Sequence, residues 1–479
     1  MSKQTKDKSR IFQALSRDGL EVSQPDAGVY SVRLSTHNAN TPVAEVLLPD
    51  ELPLESKALG QLANLANVQH PDGGHIKRCC ATPDFHPGDT GIAIGSVTES
   101  SEVIVPQAVG VDVCCGMRLH TTDMNLDQFL TGKKAFIKAM SGDYLLGTRD
   151  VVMSKEAMVA MFNCGVPAWL DEVKKSPLGS MSRTDLSGIE SDIERMMFSG
   201  SYDGNTGHVP DELWSGNSVI RDEGLGTIGR GNHFVEIQVV EEILDKSKAY
   251  EWGVKKRQIV FMIHSGSRNV GRHTGSAWHD IAKGLWPKDL KHPESKIFPI
   301  SLKTNREEFE QYVEAERTAS NYASVNRVIL AELFRIRMRE VFGDFGSPLI
   351  YDLPHNITLK EGDNWISRKG ACPAHSGQPV IIPGSMGSAS YLLVGNGSDR
   401  FLNSASHGAG RSQSRGSMNG KDEKRLGLES VECITLRNER RIEEAPAAYK
   451  DIGPVIEAQV KAGLVSVVAK MKPLLTFKA

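Results

Sequence analysis

Short apolar runs separated by polar, glycine-containing turns recur along the chain and predict many short strands. Runs of this length that are rich in Val, Ile and Leu are typical of strands. The predicted strands cover 29–34, 44–49, 103–111, 233–240, 259–267 and 348–356, with further strands and glycine-rich loops at 379–411. Apolar residues near helical spacing predict helices at 55–68, 306–342 and 449–465, and a strand-like tail follows the last helix.

This order of elements predicts a mixed α+β fold. Residues 125–222 are expected to be mainly helical and loop-like and, together with 306–342, to lie at the periphery. The chain has no internal repeat and no long linker, so we expect residues 1–479 to form a single unit, with 1–80 as its N-terminal part. Glycine is frequent, with 45 residues, which favours tight turns and loops whose backbone contacts a ligand.

Composition is that of an ordinary globular protein, with 39% hydrophobic and 24% charged residues. The net charge of −3 provides no general attraction for nucleic acid, so a polyanion would need a local basic patch. The N-terminal MSKQTKDKSR is polar and no apolar stretch approaches a membrane span, so we expect a cytoplasmic protein without a membrane partner. Seven cysteines, an odd and sparse set, argue against a disulfide scaffold.

Five side chains that commonly bind metals stand where apolar runs begin or end. They are Asp112, Cys115, His233, His264 and His355. Singly, a histidine or cysteine in such a place is more often structural, but carboxylate, thiolate and imidazole groups together are the main ligands of transition metals. Thiolate with imidazole suits zinc, and added carboxylate shifts the preference toward manganese or iron. The sequence therefore predicts a site for one or two ions without naming the metal.

A second cluster, PGSMGSASYLLVGNG at 383–397 beside HGAGRSQSR at 407–415, has the composition of an anion-binding region. Its small residues let backbone N–H groups converge on a phosphate, and Arg411 and Arg415 would share one face if the segment were helical. Flexible polar loops have the same composition, but the first loop leads into an apolar strand that anchors it. Phosphate chemistry beside a metal is the predicted function class, which includes phosphoryl hydrolysis and nucleotidyl transfer.

Nine sequence blocks resemble, in order, the signature blocks of the RtcB family of RNA ligases. They are PDFHPG, GVDVCCGMR, GTIGRGNHFVEI, HSGSRNVG, LPHN, RKGA, IPGSMGSASYLLVG, SASHGAGRSQSR and EEAPAAYKD. The similarity extends from about residue 81 to the C-terminus, and nine blocks in one order make it specific. It implies the RtcB-type α+β fold, in which β-sheets surround a central cleft for metal and GTP and helices lie at the periphery.

The resemblance implies a GTP- and Mn²⁺-dependent ligase for tRNA splicing or RNA repair. Such enzymes join RNA ending in a 3′-phosphate or 2′,3′-cyclic phosphate to RNA with a 5′-hydroxyl. A histidine attacks the α-phosphorus of GTP and holds GMP, GMP passes to the RNA 3′-phosphate, and the 5′-hydroxyl attacks that activated end. His407 matches this histidine. We further expect a monomer, and an archease-type activator is a partner of some family members.

Block by block, the resemblance also assigns the other site residues. The ligands of two Mn²⁺ ions would be Asp112, Cys115, His233, His264 and His355. The guanine nucleotide would contact Asn232, Glu236, His355, Asn356, Pro383, Gly384, Ser385, Met386, Ser390, His407, Gly408, Ala409, Gly410, Tyr449 and Lys478. Phosphates of RNA or GTP would contact Arg268, Arg411 and Arg415. Asp84 would not bind the metal itself but would orient a side chain that does.

The neighbouring cysteines are expected to differ in role. Cys115 lies three residues after Asp112, a spacing that recurs in the family, so we expect its thiolate to bind metal. An extended segment would point Cys114 to the opposite side, where a buried structural thiol is a sufficient explanation.

Two other function classes remain open on the residues. A metal-dependent phosphoesterase acting on nucleic acid ends would use the same metal site but would need neither His407 nor a GTP pocket. A non-catalytic RNA-binding module usually shows a basic face and stacking aromatics, whereas this chain is slightly acidic with 6% aromatic residues.

Overall fold

The computed structural model describes residues 3–37, 39–216, 219–418, 420–429 and 431–479. The helices are α1 (Lys3–Arg17), α2 (Ser56–Ala66), α3 (Leu126–Tyr144), α4 (Lys155–Lys175), α5 (Leu186–Ile193), α6 (Lys246–Glu251), α7 (Arg268–Leu285), α8 (Arg306–Phe342), α9 (Arg415–Met418), α10 (Asn438–Glu443) and α11 (Ile452–Lys461). In these described ranges, no helix is both long and apolar enough to cross a membrane.

The strands range from two residues in β6 to thirteen in β21 and are spread along the chain. They are β1 (Leu20–Asp26), β2 (Val29–Leu34), β3 (Ala44–Leu47), β4 (Arg78–His86), β5 (Ile94–Ser100), β6 (Val103–Ile104), β7 (Gly116–Asn125), β8 (Met153–Ser154), β9 (Val219–Ile220), β10 (Phe234–Ile243), β11 (Gln258–Ser265), β12 (Ile300–Ser301), β13 (Leu349–Pro354), β14 (Asn356–Glu361), β15 (Asn364–Lys369), β16 (Ala371–Pro373), β17 (Pro379–Ile382), β18 (Ser390–Gly395), β19 (Ser404–Ser406), β20 (Cys433–Ile434) and β21 (Val465–Phe477).

Two large sheets organise the molecule. The seven-stranded sheet has the order β1-β2-β3-β4-β5-β15-β14, and the eight-stranded sheet has the order β13-β7-β11-β10-β21-β18-β17, with β20 beside β21. The chain passes between the sheets after β6 and again between β13 and β14. The first crossing contains Asp112 and Cys115, and the second is the single residue His355. Two predicted groups of metal ligands therefore lie where the sheets are joined.

The predicted α+β fold and most of its predicted elements are confirmed. The run at 29–34 forms β2 and the run at 306–342 forms α8, in both cases with the predicted bounds. The apolar run at 103–111 is not one strand, because only its first two residues pair in β6 and a 3₁₀ turn at Pro106–Ala108 follows. Helix α1 was not predicted, because residues 3–10 are all polar and its apolar residues begin only at Ile11.

The prediction that 306–342 lies at the periphery is wrong. Every residue of α8 from 318 to 336 is buried, including Arg327, Glu332 and Arg335. These charged side chains find partners inside the protein, with Arg335 Nη1 2.5 Å from Glu332 Oε1. Paired charges can occupy an interior where unpaired charges cannot. Helix α8 is thus a central element that supports the eight-stranded sheet from behind.

Arg327 connects α8 to the first crossing between the sheets. Its Nη1 donates to the carbonyl oxygen of Cys114 at 2.7 Å and to that of Ser265 at 3.2 Å. Its Nε and Nη2 lie 2.9 and 2.7 Å from the carboxylate of Asp352, which also receives a hydrogen bond from Arg118. Five hydrogen-bond donors on a rigid plane suit arginine to this bridging position.

Replacing Arg327 by alanine is expected to lower the free energy of unfolding by about 3–5 kcal/mol, because Asp352 would lose a buried partner. Denaturant unfolding followed by circular dichroism measures this change. Arg317→Ala on the same helix is the matched control, since its Nη1 lies 3.9 Å from Asp203 at the surface and exposed pairs contribute less than about 1 kcal/mol. Equal destabilisation by the two variants would contradict the buried network.

One hydrophobic cluster extends through most of the chain. It includes Leu15 near the N-terminus, Val97 and Ile263 from the two large sheets, Val328 of α8 and Phe477 at the C-terminus. Burial of such apolar surface is the main favourable contribution to folding. The last strand, β21, pairs with both β10 and β18, so the C-terminal segment is held within the eight-stranded sheet.

Candidate functional site

A cavity of about 700 Å³ is lined by residues of both large sheets and of the loops between them. Of the predicted nucleotide-contacting residues, all line this cavity except Ser390, which is buried beneath it. Of the predicted metal ligands, Asp112, Cys115, His264 and His355 line it, and His233 lies buried behind them. The structure therefore brings together residues that are far apart along the chain.

The registers of four neighbouring strands explain this convergence. In the eight-stranded sheet, His264 of β11 lies opposite Phe234 of β10 and Met117 of β7. His233, Cys115 and His355 come directly before β10, directly before β7 and directly after β13. Strands β13, β7, β11 and β10 are neighbours in that order, so the four residues meet at one edge of the sheet.

The ligand atoms of this cluster lie within contact distance of one another. Cys115 Sγ is 3.1 Å from His233 Nε2 and 3.2 Å from His264 Nε2. His264 Nε2 is 3.2 Å from His355 Nε2, and Asp112 Oδ2 is 2.8 Å from His233 Nε2. Such a convergence of lone-pair donors is typical of a metal site.

The second nitrogen of one imidazole supports the same interpretation. His233 Nδ1 faces the carbonyl oxygen of Ile228 at 3.1 Å, which can only accept a hydrogen bond. The proton of neutral His233 therefore belongs on Nδ1, leaving the Nε2 lone pair for a ligand, as in most metal-bound histidines. The donor set of thiolate, imidazoles and a carboxylate fits a transition-metal ion.

Burial controls protonation in the cluster. Burial raises the pKa of the Cys115 thiol well above its usual value, and the neighbouring Asp112 raises it further. Burial also lowers the pKa values of His264 and His355 far below the usual range. The imidazoles of His264 and His355 are therefore neutral and able to bind a metal, whereas the thiol needs a bound cation to lose its proton near neutral pH.

The two neighbouring cysteines differ in their surroundings. Cys114 has φ of 55°, so the segment turns there and is not extended, contrary to the premise from which its direction was predicted. Its side chain is nevertheless fully buried, with Sγ 4.0 Å from Arg327 Nη2 and away from the imidazole cluster. Backbone hydrogen bonds of 2.7 Å from Cys114 N to Asn356 O and from His355 N to Cys115 O join the two crossings.

His407 stands beside the cluster at the end of β19. Its ring centroid is 4.8 Å from that of His355. Asp84 Oδ2 lies 2.5 Å from His407 Nδ1 and also accepts from the His407 backbone N–H at 3.1 Å. Burial alone would raise the pKa of the Asp84 carboxyl, but His407 and Thr82 outweigh it and hold the pKa below its usual range. Asp84 therefore fixes the ring so that Nε2 is the nitrogen available for chemistry.

A buried polar group lies further along the cavity, on β10 and β21. Glu236 accepts from Gln238 Nε2 and Thr476 Oγ1, each at 2.5 Å, and burial raises its pKa to about 7. Gln238 also donates to Ser390 Oγ at 2.9 Å, which explains how Ser390 supports this group from beneath the cavity. Lys478 Nζ donates to the carbonyl oxygen of His233 at 3.3 Å, so it connects this group with the cluster.

Arg411 and Arg415 do not share a helix face, because α9 begins only at Arg415. Both contact Glu444, at 3.1 Å from Arg411 Nη1 and 2.9 Å from Arg415 Nε. Arg411 also donates from Nε to Gln413 O and from Nη2 to Glu443 O, so all three of its nitrogens are engaged. Arg415 uses only Nε in the described contacts, and its side chain is 41% exposed.

Two further predicted residues have structural partners of their own. Arg268, at the start of α7, donates from Nε to Thr227 Oγ1 at 2.9 Å and is half-buried outside the cavity lining. Tyr449 donates its hydroxyl to Glu444, and the Arg411 guanidinium lies 5.1 Å from the centre of its ring.

Sequence reasoning missed Glu444, Arg327 and His86 as members of this region. Glu444 and His86 lie within the blocks EEAPAAYKD and PDFHPG, so the sequence indicates that they are near the site but does not indicate what they contact. Arg327 lies in an ordinary helical sequence, and no local signal distinguishes it. Arg327 and Glu444 act through partners distant in sequence, and His86 lines the cavity while it contacts Asp84, arrangements that only the folded structure reveals.

Comparisons with known proteins agree on one family. Residues 61–479 match the family model described as tRNA-splicing ligase RtcB. A tRNA-splicing ligase RtcB of Methanococcus maripaludis is 31% identical over 464 residues, covering 88% of this chain and 91% of that protein. An RNA-splicing ligase RtcB homolog of Entamoeba histolytica is 32% identical, covering 88% of this chain and 84% of that protein. A tRNA-splicing ligase RtcB of Aeropyrum pernix is 30% identical over 467 residues, with coverages of 88% and 91%.

Proposed function

This chain belongs to the RtcB family of tRNA-splicing ligases and is an RNA ligase, and we propose that it uses GTP and Mn²⁺ to join 3′-phosphate or 2′,3′-cyclic phosphate ends to 5′-hydroxyl ends. The observation that supports this best is His407, a buried imidazole whose Nδ1 is held by Asp84 beside the thiol–imidazole cluster. A histidine oriented in this way is suited to covalent catalysis.

His407 is the proposed nucleophile toward GTP. Its Nε2 lone pair forms a bond to the α-phosphorus, and the bond from that phosphorus to the pyrophosphate oxygen breaks. The ring then becomes cationic, and the Asp84 carboxylate stabilises this charge through Nδ1–H. Where the RNA ends in a 2′,3′-cyclic phosphate, water first opens the cyclic phosphate to give a 3′-phosphate and a 2′-hydroxyl. An RNA 3′-phosphate oxygen next attacks the same phosphorus and releases His407. The 5′-hydroxyl oxygen finally attacks the activated RNA phosphate, its proton passes to solvent and GMP departs.

The proposed metal ligands are Asp112, Cys115, His233, His264 and His355, and two Mn²⁺ ions are expected among them. The ligand atoms of Cys115, His233 and His264 all lie within 4.8 Å of one another, which supports binding of one ion by these three side chains. A bound divalent ion would reduce the negative charge of the phosphates and hold the thiol as thiolate.

Nucleotide and RNA contacts are proposed for the rest of the cavity. Glu236 would accept hydrogen bonds from the guanine N1 and N2 groups, with Tyr449 stacking and Lys478 donating nearby. The phosphates are assigned to Arg268 and Arg415, whose terminal nitrogens have fewer protein partners than those of Arg411. We infer that Arg411 mainly orients Glu444 and Tyr449, because its own nitrogens are already engaged.

We also propose that residues 1–479 act as one catalytic unit. The shared hydrophobic cluster from Leu15 to Phe477 supports this, as does the pairing of β3 with β4, which joins the N-terminal strands to the strand that contains Asp84.

A ligation assay tests the proposed function. The purified protein is incubated with Mn²⁺, GTP, one RNA ending in 3′-phosphate and another with a 5′-hydroxyl. We expect a joined RNA that depends on both GTP and Mn²⁺. Removal of the terminal phosphate without joining, and without any need for GTP, would instead support a metal-dependent phosphoesterase.

GTP affinity is expected to weaken below about pH 7, because Glu236 must be ionised to accept from guanine and its pKa is raised to about 7 by burial. The KM for GTP should rise roughly tenfold for each pH unit below that value and stay constant above it. Measuring KM from pH 6 to 8.5 at saturating Mn²⁺ tests this. Glu236→Gln should give a high KM without the pH slope, and a slope that persists in this variant would contradict the assignment.

A further inference from the structure

His86, at the end of β4, is the fourth imidazole in the cavity wall, besides His264, His355 and His407, and the proposed function does not use it. It lines the cavity and is half-buried. Its Nδ1 lies 2.7 Å from the backbone carbonyl oxygen of Asp84, and no partner of its Nε2 is found in the described part of the chain. Asp84 therefore holds two rings, His407 through its carboxylate and His86 through its main chain.

The contact with Asp84 determines what His86 can bind. A carbonyl oxygen only accepts, so the proton of the neutral ring is on Nδ1 and Nε2 has a free lone pair. Burial lowers the pKa of His86 to about 4, so the ring remains neutral near pH 7. Its free nitrogen can accept a hydrogen bond but cannot donate one. Phosphate oxygens are therefore unsuitable partners, and a hydroxyl group is suitable.

The location of His86 indicates which hydroxyl this is. The RNA 3′-phosphate must reach the GMP held by His407, so the last ribose of that RNA comes close to the residues around Asp84. The proposed guanine contacts Glu236 and Lys478 belong to the eight-stranded sheet and its C-terminal end, whereas His86 belongs to the seven-stranded sheet. The hydroxyl next to an RNA 3′-phosphate is the 2′-hydroxyl, which also distinguishes RNA from DNA.

We propose that His86 Nε2 accepts a hydrogen bond from the 2′-hydroxyl adjoining the RNA 3′-phosphate, and so favours RNA over DNA at the 3′ end. This inference rests on the proposed ligase function. No proton is transferred, since His86 positions the terminal ribose while the phosphate oxygen reacts with GMP.

The test combines a change in the enzyme with a change in the substrate. Two oligonucleotides are compared, identical except that one ends in a ribose 3′-phosphate and the other in a 2′-deoxyribose 3′-phosphate. The rate of GMP transfer to each end is measured in a single turnover for wild type and for His86→Ala. Rates are divided by the fraction of enzyme that carries GMP, so that any disturbance of His407 is corrected for.

Wild type is expected to prefer the ribose end by about tenfold to a hundredfold, the usual effect of leaving one buried acceptor unpaired. In His86→Ala the preference should fall below about twofold, because the group that senses the hydroxyl is gone. His86→Gln, whose amide oxygen can accept, should recover part of it. A wild-type preference that persists in His86→Ala, or no preference in wild type, would overturn the proposal.

His75→Ala is the matched control. His75 Nδ1 also contacts the carbonyl oxygen two residues earlier, Gly73 O at 3.1 Å, but His75 does not line the cavity. This variant should keep the wild-type preference for the ribose end.

A second comparison tests whether His86 instead contacts the ribose of GTP. The rates at which GTP and 2′-deoxy-GTP label the enzyme are measured for wild type and for His86→Ala. If His86→Ala removes a preference there and not at the RNA end, the proposal is wrong. Wild type that accepts no GMP would refute the proposed function itself.

Discussion

Replacing His407 by alanine is expected to abolish covalent labelling of the protein by α-labelled GTP in the presence of Mn²⁺. The imidazole Nε2 is the atom that would form the bond to phosphorus, and alanine offers no substitute. We expect the rate of labelling to fall by at least about a thousandfold, as is usual when a nucleophile is removed. The labelled wild-type protein, separated by denaturing electrophoresis, should lose its label in acid, because a phosphorus–nitrogen bond is acid-labile.

His375→Ala is the control for loss of a histidine. Its Nε2 lies 3.7 Å from Glu361, its side chain is 40% exposed, and it is not among the residues that line the cavity. This variant should label at the wild-type rate. Asp84→Asn should label slowly but detectably, since it keeps the ring in place and removes the charge that stabilises the cationic imidazole. Full labelling of His407→Ala would assign the covalent bond to another residue.

Much of the fold could be predicted because local patterns determine local structure. The strand at 29–34 and the helix at 306–342 have clear apolar periodicity, and both form with the predicted bounds. The position of that helix could not be predicted in the same way. Arg327 and Arg335 suggest a surface helix, and only their pairing with distant carboxylates allows burial. Tertiary ion pairs leave no local signal in a sequence.

The candidate site was predictable to a different extent. The chemical types of Asp112, Cys115 and the three predicted histidine ligands indicated a metal site, and the sequence blocks suggested its members. Their convergence depends on the order of β13, β7, β11 and β10, which apolar periodicity does not specify. The engagement of Arg411 by Glu444 was also invisible, because it requires two loops to meet. The chemical types of the site residues could therefore be predicted from the sequence, but their arrangement in space could not.

Cys115→Ala is expected to remove metal binding, whereas Cys114→Ala should leave most of it. Cys115 Sγ contacts two imidazole nitrogens at 3.1 and 3.2 Å, so its loss opens the centre of the ligand cluster. Mutation of a residue that hydrogen-bonds to a metal ligand typically weakens metal binding about 10- to 100-fold. Loss of the ligand itself should therefore weaken Mn²⁺ binding by more than about a hundredfold. Mn²⁺ affinity measured by titration calorimetry, together with labelling by GTP, provides two independent measurements.

Cys114→Ala is the matched control because it removes the same group one residue away. Its thiol is buried near Arg327, and the Arg327 hydrogen bond that holds this turn goes to the Cys114 backbone oxygen, which alanine keeps. The φ of 55° is equally unfavourable for cysteine and alanine, so backbone strain does not differ. We expect a stability loss of about 1 kcal/mol from the small cavity and a less than about threefold change in Mn²⁺ affinity. Equal loss of metal in both variants would mean that the turn, and not the Cys115 thiolate, controls the site.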